Sequence, residues 1–292
     1  MGFLSTVTAN IRKYADEPES DVKYTDAKLR EFIRMAWTDV LSELNKVSKN
    51  KVRVRMDITI VADTYSYSLP PNIQEILMLE KIDSTSGRPE WEILPNHPLA
   101  PNGPGFTIEG PTIRFDPVWK RGETLRLTYV PNGEVEVYEG TISSGTSTTI
   151  TLPATGTGTL DKRPQAYAGY TIRLGGGTYT GSLDIVQERI VASYANGTRV
   201  CTITPALDPV PTNFTGMTFE LVPHFAYMCE HCIAMRVAML IAATTKDDKR
   251  LVTLTREYHQ MLRNLRMNLS HLNARTGSNM QRAVRGKRGR GS

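Results

Sequence analysis

Cysteine is scarce in this 292-residue chain: three residues in all, too few for a secreted framework of disulfides, so a reducing compartment is the default expectation. The opening "MGFLSTVTANIRKYADE" has no basic segment followed by a long apolar one, so no signal peptide is expected. Long uninterrupted apolar runs are missing too. The most hydrophobic window, Phe225 to Ala243, is broken by Glu230, His231 and Arg236, which predicts a buried helix rather than a membrane span. Tryptophan is absent between residues 133 and 222, which weakens a carbohydrate-binding reading of that region. The aromatic residues there are Tyr138, Tyr167, Tyr170, Tyr179, Tyr194, Phe214 and Phe219.

Recognisable reaction chemistry is also lacking. Cys229 and Cys232, in "CEHC" around His231, form the one arrangement resembling a metal or redox site. A zinc site needs two more ligands, and no second CxxC or HxxxH supplies them. The pair falls inside an apolar helical pattern, so it reads as two small buried residues one turn apart. The "GGG" at 175–177 has neither the strand–loop–helix setting nor the lysine of a phosphate loop and reads as a turn. Asn196-Gly197-Thr198 and Asn213-Phe214-Thr215 read as turns as well. His97 sits between Pro95 and Pro98 without a partner, and no two carboxylates stand out as an acid/base pair. No catalytic, cofactor-binding or metal-binding residue is assigned, and the chain is not expected to be an enzyme.

What is present is organised. Leu29, Phe32, Ile33, Trp37, Val40, Leu41 and Leu44 recur at helical spacing after a Thr25-Asp26 cap, predicting a long helix over 25–47. A shorter amphipathic piece with Leu4, Val7, Ile11 and Tyr14 precedes it. Val52, Val54, Met56, Ile58 and Ile60 alternate as on a half-buried strand, and Tyr65, Tyr67 and Leu69 are expected as its hairpin partner. Pro70 and Pro71 then turn the chain into the apolar run Ile73 to Leu79. Short strands follow at 106–108, 112–115 and 124–129.

Composition changes at Pro131-Asn132-Gly133. Residues 133–222 are rich in Gly, Thr and Ser, with strands expected near 134–142, 147–152, 170–174, 183–193, 199–203 and 217–222, which suggests a barrel or sandwich. Helices return at 224–244 and from about Asp247 to Leu272. The fold class is therefore α+β: a helical core of one long N-terminal helix and two C-terminal helices, with a β-hairpin or small sheet, an inserted all-β domain and a flexible C-terminal arm. The expected divisions are 1–132 and 223–273 for the core, 133–222 for the insertion and 274–292 for the arm.

The net charge of +5 is concentrated in that arm. "ARTGSNMQRAVRGKRGRGS" holds Arg275, Arg282, Arg285, Lys287, Arg288 and Arg290 and no acid, while the remainder is close to neutral. Its glycines argue against a stable free helix, so it is expected to order on an acidic or phosphate-bearing partner. A nucleic-acid-binding protein of the ordinary kind would instead spread cations over a folded face.

"YTDAKLREFIRMAWTDVLSELNKV", then "VRVRMDITIVADTYSYSLPPNIQEILMLEKI", then "PTIRFDPVWKRGETLRLTYVP" and two closing helices resemble the head-to-tail adaptor proteins of tailed bacteriophages. The Tyr-x-Leu-Pro strand end leading into an Ile- or Leu-rich strand is matched by Tyr67, Leu69, Pro70, Ile73, Ile76 and Leu79. The resemblance covers roughly 20–130 and 223–275. It implies a structural virion protein, made in the host cytoplasm, that forms a ring of twelve copies beneath the portal protein. Such a ring extends the channel for packaged DNA, functions in DNA ejection and offers a surface to a tail nozzle or tail tube protein. By the same resemblance the six cations of the arm meet the portal. Helices apolar on more than one side, the 224–244 helix above all, are expected to supply the subunit contacts. The alternatives are another phage tail protein with a β binding module, or a nucleic-acid-binding protein acting through the arm.

Overall fold

The computed structural model describes residues 2–16, 24–46, 52–83, 85–93, 105–115, 121–133, 137–179 and 185–288. His97 and Arg290 lie outside these residues. Two compact units emerge: Met1–Val52 with Phe225–Ser292, and Arg53–His224.

The first unit is helical. Helix α1 (Phe3–Ala15) buries Phe3, Leu4, Val7 and Ile11, one stripe of its surface. Helix α2 (Asp26–Asn45) starts where the Thr25 hydroxyl accepts from the Lys28 amide, and it buries Leu29, Ile33, Trp37, Val40, Leu41 and Leu44. Helix α3 (Glu230–Thr245) is apolar nearly all round and can satisfy that pattern only by being enclosed. It packs against α1, α2 and α4 (Asp248–Arg288). Its one internal cation, Arg236, is neutralised by Asp39 of α2, whose Oδ2 accepts from Nε and Nη2 at 3.0 and 2.8 Å. The segment Ala226–Thr245 is long and apolar enough to cross a membrane by composition, yet 61% of its window is buried, as expected for a core helix.

Two expectations need correction here. The apolar positions of α3 from Cys232 to Ala242 are buried within the chain except the half-buried Leu240, so α3 leaves little surplus face for a neighbouring subunit. Helix α4 does not end near Leu272: its backbone stays helical to Arg288, through most of the expected flexible arm. No proline interrupts residues 273–288, and Arg, Met, Gln and Ala propagate a helix well. Gly277 and Gly286 cost about 1 kcal/mol each but do not terminate a helix that is already nucleated.

The second unit is built of antiparallel sheets. Strands β1 (Val54–Thr59), β7 (Thr124–Pro131), β3 (Ile73–Ile82) and β4 (Pro89–Glu92) form one sheet in that order. Strands β2 (Ser66–Ser68), β6 (Thr112–Phe115) and β5 (Phe106–Glu109) form another. The expected hairpin between β1 and the tyrosine strand does not exist. Met56 lies opposite Leu127 and Ile58 opposite Leu125, so β1 joins its buried residues to those of β7. Strand β2 pairs with β6, Tyr67 facing Ile113. Pro70 and Pro71 thus hand the chain from the small sheet to the larger one. Alternation gave the two strands but carries no information about their partners.

The third sheet has the order β8 (Tyr138–Thr141), β14 (Thr218–Val222), β11 (Thr171–Gly175), β12 (Gln187–Ala195), β13 (Val200–Thr204), β10 (Thr149–Thr151), β9 (Ser144–Gly145). Its first and last strands are parts of one stretch, 138–145. The Ile142 amide donates to Met217 O and the Ser143 amide to Thr151 O, so the sheet curls until its two ends meet along that stretch. Tyr138, Tyr167, Tyr170, Tyr194 and Phe219 lie in its core, out of reach of any sugar.

The composition boundary at 132/133 and the boundary of compactness differ. Ala168 is buried among Val54, Met56, Leu127 and Tyr129. The Tyr129 hydroxyl donates to Ala168 O at 3.0 Å, and a Cβ on Gly169 would stand 1.9 Å from Val54 Cγ1. These contacts join residues 53–131 to the β region that follows.

Candidate interaction surfaces

The cysteine pair is sequestered. Cys229 and Cys232 are buried, burial pushes the Cys229 thiol far up, and that of Cys232 up to about 11. Neither is poised as a thiolate. His231 between them turns away to Tyr14, its Nδ1 lying 3.1 Å from the hydroxyl. Among the described residues no three His, Cys, Asp or Glu side chains gather as a metal site.

A charged ladder that no local pattern singles out crosses the first sheet. Asp57 faces Arg126, and Arg126 faces Glu80. Arg126 grips Asp57 through Nε and Nη2 at 2.7 and 2.8 Å, a bidentate pair across neighbouring strands. Burial raises the Glu80 carboxyl pKa, against the pull of Arg55 and Arg126. Such cross-strand pairs fix register. Only the strand pairing brings these residues together, and that is why one-dimensional reading missed them.

The Pro70-Pro71 corner borders a cleft of about 1160 Å³, lined also by Phe106, Ile108, Pro111 and Arg163. Arg163 is committed to Asp161 at 2.7 Å, and the hydroxyls of Ser68, Thr107 and Thr112 in the lining have no histidine beside them. This surface can hold apolar groups; it carries no nucleophile–base pair.

The expected arm residues Arg275, Arg282, Arg285, Lys287 and Arg288 are strung along the last turns of α4.

No curated protein matches the chain. Residues 3–138, which run from α1 through β7 to the start of β8, match the model of the family described as SU10 adaptor protein, and over that part of the chain the resemblance to phage head-to-tail adaptors holds.

Proposed function

We propose that this chain is a structural virion protein, a head-to-tail adaptor without enzymatic activity. The observation that carries the reading is the family match over residues 3–138. The order of elements supports it: two N-terminal helices, a sheet entered through Pro70-Pro71, and two closing helices. Copies of the chain, twelve by the resemblance, form a ring beneath the portal protein. The ring extends the channel through which packaged DNA leaves and presents its lower face to a tail nozzle or tail tube protein. Because α3 is covered, the subunit contacts fall to other exposed surfaces, among them that of α2, where Met35 is 54% exposed. The end of α4, with Arg275, Arg282, Arg285, Lys287 and Arg288, and Arg290 beyond it, reaches the portal. One arm contributes little, since an exposed ion pair is worth about 0.2–1 kcal/mol, but a ring of arms gains from effective concentration.

An electron-microscopy reconstruction of the virion's portal vertex tests this directly. A ring of this chain between portal and tail is the expected result. Density for the chain elsewhere in the particle, with none at that vertex, overturns the adaptor reading.

A further inference from the structure

The described part of α4 has a buried side, with Leu254, Tyr258, Leu262, Leu265 and Leu269, and an open side. Lys249, Arg256 and Arg263 stand on the open side at heptad spacing. Successive members are about 10 Å apart along the axis at 1.5 Å per residue, and they lie almost in line. None of the three side chains is engaged by an acid among the described residues. Arg250 and Arg266 of the same helix, by contrast, pair with Asp16 and Glu43. Thr253, Gln260 and Asn264, also exposed, fill the intervals with neutral polar groups. Glu257, exposed beside Arg256, is the last acid in the sequence, and none follows it along the helix.

We propose that this open face of α4 binds the phosphate backbone of duplex DNA, independently of sequence. The surface carries its cations on a folded face, the arrangement that phosphate binding calls for. The helix continues to Arg288 with no acid in the sequence after Glu257, so its positive potential adds along the axis instead of cancelling. A line of about 20 Å spans several phosphates of one strand at 3.4 Å per step. Amide groups such as those of Gln260 and Asn264 are also phosphate donors. A protein partner would call for an apolar centre, yet the exposed apolar residues of this face, Val252 and Met267, sit toward the two ends of the line with the arginines between them. The proposal concerns residues outside the arm and stands whether or not the chain is an adaptor.

The test uses the full chain and a labelled short duplex of arbitrary sequence, with anisotropy titrations from about 50 to 200 mM salt. Wild type should bind, with log affinity falling linearly against log salt. Arg256→Ala with Arg263→Ala should reduce the steepness of that slope by about 2, near one per lost phosphate contact. Arg256→Gln with Arg263→Gln, which keeps the side-chain length, should do the same, and Arg30→Ala on α2 should change nothing. Unchanged helical circular dichroism establishes that the variants are folded. An unaltered slope in both double variants overturns the proposal by assigning binding to the arm alone. Absence of duplex binding at the lowest salt, or binding of polyglutamate but not of DNA, overturns it in favour of an acidic protein partner.

Discussion

Gly169 should not tolerate a methyl group. Its φ of +79° lies in the left-handed region, and an added Cβ would meet Val54 Cγ1 at 1.9 Å and the Tyr129 hydroxyl at 3.2 Å. Val54 is itself 4% exposed, in strand β1, so it has nowhere to move. The backbone conformation costs an L-residue roughly 1–2 kcal/mol, and overpacking a filled core adds about 1–3 kcal/mol. Gly169→Ala should therefore destabilise the β unit by about 2–5 kcal/mol, read from urea unfolding followed by far-ultraviolet circular dichroism. The partner substitution separates the two causes. Val54→Ala alone removes two buried methyl groups and should cost about 1.5–3 kcal/mol, transfer and cavity together. In the double variant the new methyl occupies space that Val54 vacated, so the clash is relieved while the backbone cost stays. The combined loss should fall short of the sum by about 1–3 kcal/mol. Strict additivity, or a neutral Gly169→Ala, would refute the seating of residues 165–170 on β1 and with it the compactness of residues 53–224.

Replacing residues 133–222 by a short Gly-Ser linker should spare the helical signal of the first unit but lower the stability of β1, β7 and β3, because Tyr129 and Val54 lose Ala168 and Gly169; an undiminished unfolding midpoint for that sheet would contradict this. Glu80 should make stability pH-dependent in a definite sense. Its pKa is raised in the fold, so its contribution is full below the unfolded value of about 4.3 and is lost as pH rises through the folded one. Measured against Glu80→Gln, wild type should lose relative stability between acid and neutral pH, and the opposite slope would show that Arg55 and Arg126 dominate. Cys229 and Cys232 should resist thiol reagents in the native protein and react once urea unfolds it; fast native labelling would deny their burial.

The elements were largely legible in the sequence, whereas their partners were not. The stripe of α2 and the sequestered α3 follow from period and apolarity, and β10 to β14 fall close to the expected segments because each is bounded by Gly, Pro or polar turns. Strand β4 escaped notice because it opens on Pro89 at a sheet edge, and β9 because Ser144-Gly145 has no length over which to alternate. The pairing of β2 with β6, and the Asp57–Arg126–Glu80 ladder that pairing of the larger sheet creates, depend on contacts far apart in sequence. A single chain does not record these. Gly169 looks like any loop glycine until Val54 is placed against it.

Helix α4 shows how local composition misdirects even where the signal exists. The density of Arg and Lys is highest after residue 274, which drew the basic region to the arm. Arg256 and Arg263 are diluted among leucines that face the core, and formal charge counted over a window averages the two sides of the helix into one number. Resolving the window by helical angle separates them: Leu254, Tyr258, Leu262 and Leu265 on the buried side, Lys249, Arg256 and Arg263 on the other. The helix that packs through its leucines thus leaves a cationic line exposed on its other side. The absence of any acid after Glu257 means that nothing within the helix neutralises that line as it runs toward Arg288. A helix whose role ended with packing would gain from i,i+4 Glu–Lys pairs on its open side, worth about 0.2–0.5 kcal/mol each. Their omission from Tyr258 onward forgoes that stability, which is the cost expected of a face held available for a polyanion.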